Sequence, residues 1–275
     1  VNLQGGQGPF SYVWSNGSTS DTAMGLGSGN YYVVIQDANS CKDSLYFMLY
    51  SPTQLQVALD TLAQPLCHGA MNGMLSIDVS GGNAPYNILW STSDTVSTLN
   101  NLGSGSYGVT VTDSRGCSNT ASFTLSGPDS LQITLKNIQD VSCYGASDGS
   151  LDISAKGGVA PYSLVWSNNQ LDSSISNLTA GTYTLVLTDA NGCSTQNTYT
   201  ISQPQLLVVS VDSVSAETCG QQNGLAAISI NGGVAPYSIL WNTNQTSSSI
   251  QNLGAGNYSA SIIDANGCTD SIQIT

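Results

Sequence analysis

Basic side chains and long apolar runs are scarce in this sequence. Of 275 residues, four are Lys or Arg, and the formal net charge is −13. Phosphate binding requires clustered Lys and Arg, so we expect no nucleic-acid partner, and an anionic membrane surface would repel the chain. No stretch approaches the roughly eighteen consecutive apolar residues of a membrane span, so we expect no membrane insertion.

Glutamate is also nearly absent, because Glu217 is the only one. The polar surface is instead Asp, Ser, Thr, Asn and Gln. Since Glu, Lys and Arg are the usual exposed helix formers, this composition favours strands and turns. The first ten residues, VNLQGGQGPF, lack the basic-then-apolar layout of a signal peptide, so export signals are expected outside this sequence.

Four tryptophans define a tandem repeat. Their spacings are 76, 76 and 75 residues, and aspartates, cysteines and prolines keep the same interval. The landmarks are Trp14, Trp90, Trp166 and Trp241; Asp37, Asp113, Asp189 and Asp264; Cys41, Cys117, Cys193 and Cys268; and Pro52, Pro128 and Pro204.

The repeat divides the chain into four units, called repeats 1 to 4 below. Val1 aligns with Ile153, so repeat 1 is expected to lack its first strand and first cysteine, and the chain is expected to be a section of a longer array. The predicted boundaries are 1–52 for the partial repeat 1, 53–128 for repeat 2, 129–204 for repeat 3 and 205–275 for repeat 4.

Each unit is predicted to be a small immunoglobulin-like β-sandwich, so the fold class is all-β with a period of about 76 residues. Apolar and polar residues alternate in "YTLVLTD", and Asn-Gly, Asp-Gly and Gly-Gly pairs mark turns. One tryptophan and one tyrosine corner per unit are expected to be core rather than binding residues. These core residues are Trp14, Trp90, Trp166 and Trp241, with Tyr31, Tyr107, Tyr183 and Tyr258.

Seven cysteines occur, and an early and a late one recur in each unit. Pairing within units predicts Cys67–Cys117, Cys143–Cys193 and Cys219–Cys268, each closing about 50 residues and contributing on the order of 4 kcal/mol. Pairing of sequence neighbours, Cys41–Cys67, Cys117–Cys143 and Cys193–Cys219, and free thiols are the alternatives. Counting strands puts both cysteines of a unit at one end, but a sixth strand then returns the chain to the end at which it entered. A straight rod would need another crossing, and the loop 167–177 is the candidate for that strand.

The pattern of the units resembles the SprB repeat of Bacteroidetes surface proteins. Repeat 3 carries it best, in Cys143, Gly145, Asp148–Ser150, Gly157–Gly158, Pro161–Tyr162, Trp166, Leu178, Gly181, Tyr183 and Asp189–Cys193. The resemblance implies an extracellular location, export by the type IX system and a place in a long surface filament or adhesin of gliding motility. Repeat 1 departs from the pattern, with Phe10 for tyrosine and Ser40 for glycine.

Seven triplets of Asp, then Ser or Thr, then an aliphatic residue resemble the acceptor motif of Bacteroidetes O-glycosylation. The alternative is that a chain rich in Asp, Ser and Thr makes such triplets freely at turns. If the motif is used, sugars attach at the surface. The candidate hydroxyls belong to Thr22, Ser44, Thr61, Thr95, Ser130, Ser213 and Ser271.

The sequence gives little support for a catalytic site or a metal site. His68 is the only histidine and is not repeated, so Ser-His and Cys-His catalysis lack a base, and the cysteines lack the paired short spacing of zinc sites. We therefore expect a protein that is not an enzyme. Calcium at Asp113, Asp189 and Asp264 is the one cofactor candidate, and the alternative is that each aspartate bonds the amides of its own turn.

The leading functional hypothesis is a non-catalytic, extracellular array of sandwiches that forms the stalk of an adhesin or filament. Its partners would be neighbouring repeats and other copies in a fibre. A second hypothesis is a module for carbohydrate or a host surface, with Tyr32, Tyr46, Tyr50 and His68 breaking the repeat symmetry. A third is a spacer in a secreted enzyme.

Overall fold

The chain folds entirely into β-strands and turns. A computed structural model describes all 275 residues and contains 21 strands and no helix. The strands form where inward and outward residues alternate, as in the run from Gly181 to Thr188, where Tyr183, Leu185 and Leu187 are buried. Accordingly, no helix is long and apolar enough to cross a membrane.

The strands follow one order in every complete repeat. Repeat 1 contains β1 (Ser11–Trp14), β2 (Gly29–Gln36) and β3 (Lys42–Leu49). Repeat 2 contains β4 (Gln56–Ala63), β5 (Gly73–Ser80), β6 (Asn87–Trp90), β7 (Thr98–Leu102), β8 (Gly105–Thr112) and β9 (Ser118–Leu125). Repeat 3 contains β10 (Gln132–Gln139), β11 (Gly149–Lys156), β12 (Ser163–Trp166), β13 (Ser174–Leu178), β14 (Gly181–Thr188) and β15 (Ser194–Ile201). Repeat 4 contains β16 (Val208–Ser215), β17 (Gly224–Asn231), β18 (Ser238–Trp241), β19 (Ser249–Leu253), β20 (Tyr258–Ile263) and β21 (Thr269–Ile274).

Each complete repeat is a sandwich of two three-stranded antiparallel sheets, which confirms the predicted immunoglobulin-like class. In repeat 3 the sheets are β10-β11-β13 and β12-β14-β15, and repeats 2 and 4 have the same orders. Repeat 1 has the single sheet β1-β2-β3, which corresponds to the second sheet of the others.

β12 and β13 together make one crossing of the sandwich. β12 pairs with the C-terminal half of β14, Leu185–Thr188, and ends with Trp166 opposite Leu185. Halfway along the sandwich the chain then passes to the other sheet. There β13 pairs with the N-terminal half of β11, starting with Ser174 opposite Asp152. Each complete repeat is therefore crossed five times, so the chain enters at one end of the sandwich and leaves at the other. The loop 167–177 contains most of β13, so a strand does lie there, but this strand completes the crossing that β12 begins and adds no further crossing.

Each complete repeat has its own hydrophobic core. The three cores are separate clusters, and each contains the tryptophan of its repeat. Trp166 and Trp241 are each only 1% exposed. Every sandwich thus has a core of its own against which its strands are stabilised.

The chain divides into two compact units. The first comprises Val1–Gln64 and Met71–Ser126, and the second comprises Pro65–Ala70 and Gly127–Thr275. The short segment Pro65–Ala70, which contains Cys67, therefore belongs to the same unit as repeats 3 and 4.

Candidate functional site

An aspartate organises the tight turn that carries each late cysteine. In repeat 3, one carboxylate oxygen of Asp189 accepts the backbone N–H groups of Asn191 and Cys193, both at 2.9 Å. The other oxygen accepts the N–H of Val159 at 2.9 Å, from the double-glycine turn. Gly158 permits this approach, because a Cβ there would lie 2.6 Å from that oxygen.

The same turn recurs in the other repeats. Asp113 and Asp264 are 5% exposed, as is Asp189, and each accepts three backbone N–H groups at 2.8 to 3.0 Å. Asp37 forms the corresponding turn in repeat 1. We call Asp113, Asp189 and Asp264 the turn aspartates.

The turn aspartates are ionised at neutral pH. Burial alone would raise the pKa of Asp189, but the N–H donors of Val159, Cys193 and Asn191 outweigh it, so the pKa lies below its usual value. The pKa values of Asp113 and Asp264 are lowered by the same balance. The carboxylates therefore act as fixed acceptors for the turns.

The carboxylate oxygens proposed as calcium ligands are thus bonded to amides. No group of three or more His, Cys, Asp or Glu side chains stands close enough to hold a metal ion. This arrangement favours the turn alternative, in which the aspartate bonds its own loop. Calcium binding stays a prediction from the sequence.

The disulfides join different repeats, so the predicted pairing within units is wrong. Cys67 of repeat 2 bonds Cys193 of repeat 3, and Cys143 of repeat 3 bonds Cys268 of repeat 4. The Cα–Cα distances are 5.8 and 5.7 Å, within the normal range for disulfides. The alternative pairing of sequence neighbours is wrong as well. The bonds Cys67–Cys117, Cys143–Cys193 and Cys219–Cys268 do not form.

The odd number of crossings explains the correction. In repeat 3, Cys143 follows β10, and β11, the shared crossing of β12 and β13, and β14 then separate it from Cys193. Three crossings put the two cysteines at opposite ends of their sandwich. A bond within one repeat is therefore excluded by distance, and the early cysteine of one repeat bonds the late cysteine of the next.

A hydrogen bond accompanies each disulfide. The side-chain amide of Asn191 donates to the carbonyl oxygen of Leu66 at 2.7 Å, beside Cys67. The side-chain amide of Asn266 donates to the carbonyl oxygen of Ser142 at 2.8 Å, beside Cys143. We call the disulfide with this bond the staple; the loop half carries the early cysteine and the turn half carries the aspartate, asparagine and late cysteine.

Three cysteines, Cys41, Cys117 and Cys219, are unpaired and exposed. Cys41 lies in a turn half with Asp37 and Asn39, whereas the turn of Cys117 has Arg115 at the asparagine position, and Cys219 lies in a loop half. In the sequence, all seven cysteines keep the repeat interval, but this interval alone does not show which ends of two repeats meet.

The aromatic residues form the scaffold of each sandwich. The indole N–H of Trp166 donates to the carbonyl of Asp172 at 3.0 Å, and the other three tryptophans make the equivalent bond. The hydroxyl of Tyr183 donates to the carbonyl of Thr179 at 2.9 Å, and Tyr107 and Tyr258 make the same tyrosine corner. Tyr31 stacks on Phe47 instead.

A second tyrosine bond was not expected from the sequence. The hydroxyl of Tyr162 donates to the carbonyl of Gly157 at 2.7 Å, and Tyr86 and Tyr237 do the same in their repeats. The signal was present as the constant five-residue interval between the first glycine of the pair and the tyrosine.

The remaining candidates lie at the surface. His68 is exposed, and its ring Nδ1 lies 3.3 Å from the carbonyl oxygen of Pro128. All seven candidate glycosylation hydroxyls are exposed: Thr22, Ser44, Thr61, Thr95, Ser130, Ser213 and Ser271. A cavity of about 570 Å³ in repeat 4 has Glu217, Cys219, Tyr258 and Thr275 among its lining residues.

Comparison with known proteins gives a family match and fold likenesses. A family model described as the SprB repeat matches residues 59–95, 135–171 and 212–246, once in each complete repeat. Among curated proteins, none matches this chain.

Several solved structures of tandem domains are similar to this chain. Sidekick-1 immunoglobulin domains 1–5 are 13% identical over 96% of this chain and 72% of that chain, with a TM-score of 0.37. A three-immunoglobulin segment of titin is 14% identical over 80% and 97%, with a TM-score of 0.40. A tetra-tandem repeat from the extending region of a large adhesion protein is 18% identical over 96% and 90%, with a TM-score of 0.31. These likenesses concern the fold alone.

Proposed function

This chain carries SprB repeats, and we propose that it is the non-catalytic, extracellular stalk of a surface adhesin. SprB repeats occur in cell-surface proteins, and disulfides persist in oxidising environments outside the cytosol. Under this proposal the whole protein is exported by the type IX system of a Bacteroidetes bacterium and acts in adhesion during gliding motility. The repeats would hold an adhesive tip away from the cell.

The staple is the observation that carries the proposal. A disulfide within one domain stabilises that domain, whereas these bonds join one repeat to the next. Each sandwich admits the chain at one end and releases it at the other, and the bonds join successive repeats covalently. Both features suit a stalk that bears tension.

Small-angle X-ray scattering of the oxidised chain tests the stalk. Strands of eight residues make a sandwich about 35 Å long with its turns, so repeats in line would extend about 130 Å and give a radius of gyration of about 38 Å. A compact chain of this length would have a radius of about 19 Å. A value near the compact one would contradict the proposal.

A second candidate function rests on repeat 1. Tyr32 and Tyr46 lie side by side on the outer face of the β1-β2-β3 sheet, with ring centroids 5.7 Å apart. They are 43% and 73% exposed, and Met48 beside them is 48% exposed. The corresponding pair in repeat 3 is Thr184 and Thr198. An exposed aromatic pair in one repeat alone fits the stacking of a sugar ring.

A glycan array tests this candidate. The control variant carries Tyr32→Thr and Tyr46→Thr, which copies repeat 3 and preserves strand propensity. Selective glycan binding by the natural chain, lost in the variant, would support a binding role. Equal signals from both proteins would contradict it.

A further inference from the structure

Two of the thirteen tyrosines form a ring pair at the surface. Most tyrosine side chains are at least partly buried, and the exposed ones are Tyr32, Tyr46, Tyr50 and Tyr144. Tyr32 and Tyr46 make the one ring contact between two tyrosines, with centroids 5.7 Å apart and ring planes inclined by 41°. Two exposed phenol rings are therefore held side by side at a single place in the chain.

The backbone keeps these two rings together. Tyr32 in β2 lies directly opposite Tyr46 in β3, within eight consecutive residue pairs that show no register shift. Side chains of directly opposite residues have Cβ atoms about 4.5–5.5 Å apart and stand roughly perpendicular to the sheet. Exposed side chains change rotamer within picoseconds to nanoseconds, so the two rings repeatedly approach more closely than in their resting positions.

The pair stands on the outer face of its sheet. Val33, the next residue of β2, is 0% exposed, and alternation along the strand turns Tyr32 to the opposite side. In the complete repeat 3 the corresponding residues are Thr184 and Thr198, whose hydroxyl groups bond each other at 2.9 Å at the surface. This face is thus open to solvent in a whole sandwich as well, and an oxidant can reach Tyr32 and Tyr46 there.

We propose that Tyr32 and Tyr46 are a modification site, at which oxidation joins the two rings into dityrosine. The new bond links the ring carbons next to the two hydroxyl groups and clamps β2 covalently to β3. Tyr50 is 82% exposed but has no ring partner, so it is accessible to an oxidant without being paired. The proposal depends neither on a stalk nor on sugar binding.

The bond requires an oxidant, which we specify as hydrogen peroxide used by a haem peroxidase. One peroxide removes one hydrogen atom from each phenol O–H group, which leaves two phenoxyl radicals and two molecules of water. Each unpaired electron is shared with the ring carbons beside the oxygen, and two of these carbons pair their electrons in a C–C bond. Each bonded carbon then passes its hydrogen to its own oxygen as a proton, which restores both phenols. Two tyrosines and one peroxide thus yield one dityrosine and two waters.

Peptide mapping of the oxidised full chain tests the site. The free thiols are blocked first, because exposed cysteines would compete for the oxidant. After treatment with peroxidase and peroxide, the monomer is isolated, its disulfides are reduced, and trypsin cleaves it after Lys42, which lies between the two tyrosines. The peptides 1–42 and 43–115 should stay joined with the loss of two hydrogen atoms, and fragmentation should locate the bond at Tyr32 and Tyr46.

Phenylalanine variants separate proximity from exposure. Tyr46→Phe keeps a ring in the pair but has no phenol hydrogen to lose, so the joined peptides should disappear. Tyr50→Phe is the matched control, because it removes the most exposed tyrosine of the chain, and it should leave the yield of joined peptides unchanged. A natural monomer without joined peptides, or a yield that Tyr50→Phe lowers as much as Tyr46→Phe does, would overturn the proposal.

Discussion

Replacing Cys268 with serine opens the staple between repeats 3 and 4 and leaves both cores intact. The bond closes a sequence separation of 125 residues, for which the loop-entropy relation gives about 5 kcal/mol of stabilisation at 25 °C. If repeat 3 stays folded while repeat 4 unfolds, the free loop begins after β15 and the figure falls to about 4 kcal/mol. Native disulfides commonly contribute about 2 to 5 kcal/mol.

Urea denaturation followed by tryptophan fluorescence measures this loss. For a domain the size of one repeat, the slope is near the low end of about 1–3 kcal/mol per molar urea, so repeat 4 should unfold about 3 M earlier. Trp241 is 1% exposed and is the tryptophan of this repeat, so its exposure on unfolding supplies this repeat's share of the signal from the four tryptophans. Cys41→Ser is the matched control, since this exposed and unpaired residue should shift stability by less than about 0.5 kcal/mol.

Equal midpoints for Cys268→Ser and Cys41→Ser would refute the reasoning. A peptide map of the natural chain without reduction gives a second check, because it should contain Cys143 linked to Cys268. A map with Cys143 linked to Cys193 would show the bond within one repeat and would remove the basis for the staple.

Further outcomes follow from the turns and the surface. Gly157→Ala places a Cβ against the carbonyl oxygen of Ser130 at a φ of +74° and should lower the free energy of unfolding by about 3 kcal/mol. The matched control Gly192→Ala has a φ of +81° but open space around it, so it should lower this free energy by only about 1 kcal/mol. Equal urea midpoints for the two variants would contradict this expectation. In the folded chain the pKa values of the turn aspartates lie below the unfolded value of about 3.9. The melting temperature should therefore be steady from pH 7 to about 4 and fall as the pH drops further. Replacing all three turn aspartates with Asn should make this fall less steep. Mass spectrometry of protein from its native source should find sugar on the Asp-Ser and Asp-Thr peptides, and bare peptides throughout would contradict glycosylation.

The fold followed from the sequence because the period is visible in single residue types. Alternation located the strands, and one tryptophan per unit located each core. The number of crossings did not follow, because β12 and β13 are four and five residues long. Two segments of this length have the same sequence pattern whether they share one crossing of the sandwich or each make a full crossing. The difference is fixed by the change of sheet at mid-height, which depends on pairing with β11 and β14.

The pairing of the cysteines between repeats could not be predicted from the sequence for a related reason. Pairing within a unit requires that both cysteines lie at one end, and this follows only from an even number of crossings between them. The asparagine of each turn half was visible in phase at Asn39, Asn191 and Asn266, but its acceptor is a carbonyl in the preceding repeat. A contact over 124 or 125 residues leaves no local signal.

The two disulfides overlap along the chain, and this limits how far the array can be stretched. The shortest taut route from Cys67 to Cys268 runs through the first bond to Cys193, back along the chain to Cys143 and through the second bond. This route contains about 50 residues of backbone, or about 175 Å, instead of about 200 residues and 700 Å without the bonds. The segments 68–142 and 194–267 each contain about 75 residues, so they stay slack while the stretch between Cys143 and Cys193 bears the tension. Pulling single molecules from their termini should therefore give an unfolded length that grows by about 530 Å when a reductant is added. An unfolded length that a reductant leaves unchanged would contradict this argument.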